Sequence, residues 1–289
     1  MSGAQVALLP DGRRLHLHHG PIDLIVEAFG SKRQVAAAYR SAAQRFDRLL
    51  DELVAELPDL RKAVNHDDPL PDGAIAQAMT LATRDHLPAF ITPMAAVAGA
   101  VADAILAAMT DVPDLERAYV NNGGDIALYL SPGSSLTVSI AGLPAQVTLP
   151  AESRTRGLAT SGWRGRSWSR GIADSVTVLA SSGARADAAA TIIANAVDLP
   201  GHPSIQRAPA SSVELDNELG DRLVTMWVGK LSKPEVEQAL RGGLRAAERL
   251  AERGVIEGAV LALAGRVVCH HPSNDLLIPA ESLSESLHA

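Results

Sequence analysis

The chain opens on alternation. Leu15–His18 alternates apolar and polar positions, and the turn Pro10–Asp11–Gly12 joins it to the apolar run Val6–Leu9. Asp-Gly supplies the positive φ angles of a tight turn, so the pattern predicts a hairpin, with Ile22–Ala28 as a third strand. The period then changes. Val35, Tyr39, Phe46, Leu49, Leu50, Leu53 and Val54 fall on one helical face, which Ser31 can cap and which is expected to end before Pro58. Asp67–Gly73 is rich in turn residues. Ala74–Arg84 reads as a helix, and Pro93 opens another through about Ala108, since proline suits a first helical turn.

From Ala118 the texture is short β runs separated by Gly, Pro and Ser: Ala118–Asn121, Ile126–Leu130, Leu136–Ala141, Gln146–Leu149, Leu158–Thr160 and Ser175–Leu179. Ala184–Ala196 reads as a helix and Pro200–Leu215 as a loop. Val224–Val228 is a strand and Lys233–Arg253 a second long amphipathic helix. Val255–Ala262 and Gly265–His270 close the pattern as a hairpin, and Glu281–Ala289 is a polar tail prone to fraying. This order lacks regular strand–helix alternation, so the expected class is α+β, with mixed, mainly antiparallel sheets and two long helices. One domain over 1–289 is expected, with two β-rich halves, about 1–115 and 116–280, that leave an internal duplication open.

Composition narrows the function classes. Of 289 residues, 47% are hydrophobic and 3% aromatic, so the core must be built from Ala, Val, Leu and Ile. The net charge is −7 and no basic run exceeds a pair, which argues against nucleic acid as a partner. The single cysteine, Cys269, suits a reducing compartment and reads as a buried small hydrophobe. His270 and His271 follow it, but neighbours on a strand face opposite ways. His16 and His18 share a strand face, as a ligand pair would and as a solvated face would. Phe90–Met109 approaches a membrane span in length, yet it carries Asp103 and is broken by Pro93 and Gly99, so a buried helix and no membrane are expected. The N-terminus has neither the basic start nor the apolar core of a signal peptide, and a cytoplasmic location is expected.

Four segments carry candidate chemistry. Asn121-Asn122-Gly123-Gly124-Asp125-Ile126 lies between two strands, where glycines let a ligand approach backbone N–H groups. The same pattern makes a plain hairpin turn. Ala159-Thr160-Ser161-Gly162 offers small hydroxyls at a strand end, and Trp163–Gly171 adds Arg164, Arg166 and Arg170, whose guanidinium groups suit phosphate oxygens. Trp163 and Trp168 could stack on a ring, although an exposed flexible loop has the same composition. Ala186–Thr191 places Asp187 and Thr191 one turn apart, an arrangement that suits a hard cation such as Mg²⁺. An acid in a first turn also simply complements the helix dipole. Phe90–Asp103 offers a helix start with small side chains, capped by Thr92. No nucleophile elbow, Walker lysine, dinucleotide glycine fingerprint or zinc spacing is present.

In this order the four segments resemble the ApbE superfamily, the FAD:protein FMN transferases. That superfamily has a Pro-Gly-Gly-Ile-Ala-Lys-Gly helix start, a Gly-Gly-Asp-Ile turn, a Thr-Ser-Gly strand end and an Ala-Asp-Ala-x-x-Thr helix start. Here these fall on Pro93–Gly99, Gly123–Ile126, Thr160–Gly162 and Ala186–Thr191, over about residues 90–200. The chain looks closest to an uncharacterised cytoplasmic branch. The resemblance implies an ApbE-like α+β fold with FAD or FMN in a cleft. Asn122, Gly123, Gly124 and Asp125 would line that cleft, with Thr160, Ser161, Gly162 and Gly99. It also implies Mg²⁺ on Asp187, Thr191 and a backbone carbonyl.

The departures are specific. The superfamily lysine falls on Ala98, and two of its glycines fall on Met94 and Ala95. Ser169–Asp174 stands where a His-x-x-Asp-Pro segment is expected. Binding groups are retained and reacting groups replaced, which counts against flavin transfer. The expected function is binding of a flavin nucleotide or similar phosphorylated ring compound. If the chain is an enzyme, the reaction class is Mg²⁺-dependent transfer or hydrolysis at phosphate, with Arg164, Arg166 and Arg170 stabilising charge. The alternatives are a cytoplasmic enzyme acting on a non-flavin small molecule and a non-catalytic ligand-binding module. The partner is a small-molecule ligand, and the Ala-rich helices could pack within one chain or across a homodimer.

Overall fold

The structure is a computed structural model, and it describes residues 3–270 and 276–277. His271 and the segment Glu281–Ala289 lie outside the described residues. The chain divides into two compact units: Met1–Leu136, Leu149–Ala159 and Ala180–Asp187 form the first, and Thr137–Thr148, Thr160–Leu179 and Ala188–Ala289 the second.

In the first unit the predicted meander is present as β1 (Gln5–Leu8), β2 (Leu15–His19) and β3 (Ile22–Phe29). Helices α1 (Lys32–Leu60), α2 (Ala74–Arg84) and α3 (Val97–Thr110) follow, then β4 (Arg117–Asn122) and β5 (Asp125–Leu130). The strands pair antiparallel in sequence order from β1 to β5. Alternation decides which face is buried: Leu15, Leu17, Leu24 and Val26 point inward. Ser31 caps α1 through a capping box with Gln34, and Ala38, Ala42, Phe46, Leu49 and Leu53 form its buried stripe. The helix does not stop before Pro58. It continues to Leu60, which is 1% exposed. Proline removes one backbone donor, a loss this close to the helix end that burial of a leucine, worth ~2 kcal/mol, offsets.

A 3₁₀ turn, Pro93–Ala96, precedes α3, and Thr92 supplies no side-chain cap to it. The stretch Pro93–Thr110 is long and apolar enough by composition to cross a membrane. Here it is a core helix, packed on α1, β4 and β5.

Strands β6 (Ser135–Ser139), β7 (Gln146–Pro150), β8 (Gly157–Ser161) and β9 (Ser175–Ala180), with helix α4 (Gly183–Ala196), each contribute residues to both units. The second unit adds β10 (Ile205–Pro209), α5 (Ala210–Val213), β11 (Leu223–Val228), α6 (Lys233–Glu252), β12 (Gly258–Leu263), β13 (Arg266–His270) and β14 (Leu276–Leu277). Within it, β9, β12 and β13 pair antiparallel, and α6 buries Val236, Leu240, Ala247 and Leu250, packing on β12 and β13. Ala264 and Gly265, both at positive φ, make the tight turn of the closing hairpin.

Two expectations are corrected here. The segment Pro200–Leu215 is not all loop: β10 pairs with β11 across a bulge at Gln206/Arg207, which breaks the alternation that would have revealed it. Cys269 is exposed, because its position on β13 faces outward.

Candidate functional site

Two helices of very small residues cap each other in the first unit. Gly99 in the first turn of α3 lies against Gly183, the first residue of α4. A Cβ on Gly99 would stand 2.1 Å from the Gly183 carbonyl oxygen, so only glycine permits this approach. Asp103 of α3 then accepts hydrogen bonds from the Gly183 and Ala184 N–H groups at 2.8 and 2.9 Å. In return the Gly99 N–H donates to Oδ2 of Asp187 at 3.1 Å. Each carboxylate satisfies donors that the other helix leaves unpaired at its start.

This corrects the position read from sequence. Asp187 is the fifth residue of α4 and stands outside its first turn, which carries no acid. It serves the dipole of α3 rather than that of its own helix. Asp103, read only as an ionisable residue in an apolar run, holds the start of α4. Nothing in its local sequence signals that role, because its partners lie 80 and 81 positions away.

Protein atoms crowd the Asp187 carboxylate, although the residue keeps a partly accessible edge. Desolvation pushes its pKa well above the usual carboxylate value, and the charge of Asp125 pushes it further; the N–H groups of Gly99 and Ala98 oppose the rise. Asp103 is raised by desolvation and pulled back by its two backbone donors.

Asp125 reaches this place through the β4–β5 turn. Asn122 pairs with Asp125, and Gly123 and Gly124, both at positive φ, close the two-residue loop. The Asn121 side-chain oxygen accepts the Gly124 N–H at 2.8 Å, and Asn122 Nδ2 donates to the Ala98 carbonyl at 3.1 Å. The hairpin reading holds, and the turn lies beside the start of α3. Asn122, Asp125, Gly99 and Asp187 converge, and Gly123 is exposed beside them. Among the described residues, no group of three or more His, Cys, Asp or Glu side chains could hold a metal ion. A cation at Asp187 would thus draw on carbonyl, hydroxyl, water and ligand oxygens, a set that Mg²⁺ accepts.

The remaining expected residues belong to the second unit. Thr191 follows Asp187 by one turn of α4 and is half-buried. Thr160 Oγ1 bonds Thr177 Oγ1 at 2.8 Å. Gly162 is required by packing, since a Cβ there would stand 2.4 Å from the Asp174 carbonyl; Ser161 beside it is half-buried. Asp174 ties the following loop down, accepting from Trp163 Nε1, from Arg164 Nε and from the Ala264 N–H. Arg166 is exposed. Arg170 takes a different course from Arg164: its backbone N–H bonds Asn195 and its carbonyl accepts from Arg207. His16 and His18, the other pair raised by the sequence, both face the carboxylate of Asp23.

The fold and this constellation define an α+β protein of the ApbE kind. The family described as "AbpE bacteria" matches residues 6–269, and the chain belongs to it. A UPF0280 protein from Methanopyrus kandleri is 33% identical over 171 residues, 56% of this chain and 68% of that protein. A UPF0280 protein from Methanoregula boonei is 35% identical over 143 residues, 47% of this chain and 60% of its own length, so that match spans less than two thirds of the relative. The crystal structure of the ApbE protein from Thermotoga maritima covers 92% of this chain and 97% of its own, with a TM-score of 0.51 and 12% identity. At that identity the likeness is one of fold.

Proposed function

We propose that the chain binds a flavin nucleotide, FAD or FMN, or a similar phosphorylated ring compound, together with Mg²⁺ at Asp187, in the cytoplasm. The observation that carries this reading is the place of Asp187, half-buried and accepting the Gly99 N–H at the start of α3 at 3.1 Å. Its carboxylate is desolvated, faces the charge of Asp125, and has backbone N–H groups of α3 as its opposing partners. A cation relieves that arrangement, and Mg²⁺ fits because it takes oxygen ligands and retains room for phosphate oxygens. Asp187 would hold it, with the Thr191 hydroxyl one turn along the same helix. Bound there, Mg²⁺ would neutralise phosphate charge. The chain's own part is to orient the ligand: Asn122 fixes the start of α3 through the Ala98 carbonyl, and Gly124, where an added Cβ would meet nothing within 4 Å, leaves room for it to approach the turn.

Binding without flavin transfer is the expected behaviour, since Ala98 stands where the superfamily has lysine. Titrating FAD into the purified chain with and without Mg²⁺, while assaying AMP release and flavin attached to protein, tests this. Mg²⁺-dependent binding with no AMP is expected, and Asp187→Asn should weaken it at least tenfold. Unchanged binding in that variant would sink the metal assignment, and absence of any flavin binding would sink the flavin. Met94 and Ala95 favour a second reading, a non-flavin small molecule, because they put side chains where the superfamily has glycine. Native mass spectrometry of protein from its own source would separate the two by naming the retained ligand.

A further inference from the structure

Strand β1 ends its sheet: among the described residues, β2 is the strand paired with it. All of Gln5–Leu8 is exposed. This edge carries no charged side chain, proline or bulge, the devices that keep free edges apart. The Leu9 N–H donates to the Arg14 carbonyl at 2.8 Å, and the β1–β2 register continues that pairing through Ala7–His16 and Gln5–His18. Backbone groups alternate sides along a strand, so the N–H and C=O groups of Val6 and Leu8 point away from β2, along the free edge. Their side chains stand opposite Leu17 and Leu15, on the face of the sheet where α1 packs on β2 and β3. Leu17 and Leu15 are 0% and 5% exposed, whereas Val6 and Leu8 are 47% and 59% exposed. The apolar face therefore runs one strand past its cover.

We propose that β1 pairs antiparallel with β1 of a second copy of this chain, about a two-fold axis at Ala7, so that the two sheets join edge to edge. The register follows from the backbone. With Ala7 facing its own mate, Val6 and Leu8 of one copy exchange N–H···O bonds with Leu8 and Val6 of the other, and every outward group of both residues is satisfied. An axis perpendicular to the sheet preserves the face, so the Val6 and Leu8 side chains of both copies form one apolar cluster. A second copy also fits by charge. A two-fold sets a strand against itself, and a charged residue near the axis would meet its like. Strand β1 has none, and the nearest turn charges, Asp11, Arg13 and Arg14, fall at opposite ends of the paired strands in the two copies. The strand is far shorter than the ~20–30 residues a side of a standard interface, so the dimer is weak and concentration-dependent. None of these residues belongs to the Asp187 site, so the pairing is independent of the flavin reading. The competing account is that so short an edge stays bare.

Sedimentation velocity of the full chain from ~1 to ~500 µM decides between them. A monomer–dimer equilibrium is expected. Leu8→Lys sets like charges together in the apolar cluster, and Val6→Pro removes an N–H that β2 does not use. Each should raise the dissociation constant tenfold or more while keeping wild-type circular dichroism. Trp227→Lys, at an exposed apolar position of the second unit, should leave it unchanged. The register is read separately, in a Cys269→Ser background. There Ala7→Cys should cross-link to its mate under diamide, because a non-hydrogen-bonded pair lies ~4.5 Å apart between Cα atoms, within disulfide reach. A monomer at every concentration would overturn the proposal. So would a dimer indifferent to both β1 variants, a dimer lost with Trp227→Lys, or no cross-link at Ala7→Cys.

Discussion

At the scale of single residues, Asp187 connects stability with ligand binding. Its native pKa lies well above the unfolded value of 3.8. Between those two values the native state holds a proton that the unfolded state has lost, so stability falls as pH rises through the window and stays lower above it. Asp187→Asn removes that loss while keeping an oxygen for the Gly99 N–H. Its unliganded form should therefore be more stable than wild type at pH 7, with the difference vanishing below pH 3.8, as urea unfolding at several pH values would measure. Cation binding should show the opposite sense. A proton on Asp187 competes with Mg²⁺, so affinity should rise with pH until the carboxylate is fully ionised. A variant no more stable than wild type at pH 7 would mean that the carboxylate is well compensated by α3 and needs no cation.

At the scale of elements, the crossing of α3 and α4 carries the site. Gly99→Ala would force a Cβ to 2.1 Å from a backbone oxygen that no side-chain rotation relieves. Overpacking of this kind costs about 1–3 kcal/mol, and the shift would also part the Gly99 N–H from Asp187. A lower urea midpoint together with weaker Mg²⁺-dependent binding is expected. Asp103→Ala leaves two N–H groups at the start of α4 without their acceptor and should cost about 1–3 kcal/mol as well. Most of these elements were legible in sequence, because hairpin turns, capping boxes and apolar stripes are local signals. The β4–β5 turn and α1 are read directly from Asn-Gly-Gly-Asp and from Ser31 with the apolar stripe that follows it. What escaped was tertiary. Pro58 stays helical because Leu60 is buried, β10 hides behind a bulge, and Asp103 and Asp187 take their meaning from helices distant in sequence. The segments that hold Asp103, Asn122 and Asp187 stand out in the sequence, but the reciprocal capping that explains the two acids Asp103 and Asp187 does not.

At the scale of the whole molecule, chain threading sets how the protein should unfold. Four strands, β6 to β9, and helix α4 each have residues in both units, and α4 is divided between Asp187 and Ala188. Helix formation is cooperative, so half of α4 cannot melt without fraying the hydrogen bonds of the other half. The chromophores make this measurable. All three tryptophans, Trp163, Trp168 and Trp227, belong to the second unit, and all three tyrosines, Tyr39, Tyr119 and Tyr129, to the first. Trp163 stacks edge-on against Trp227 and donates to Asp174, so its emission follows the folding of the second unit. Hydrogen exchange of the α1 amides follows the first. Both probes should report one coincident transition in urea, the mark of two-state unfolding. Gly99→Ala, placed wholly in the first unit, should move the tryptophan midpoint by the same amount as it moves α1 exchange. A tryptophan transition that stays at its wild-type midpoint in that variant would show that the shared helix does not couple the two units.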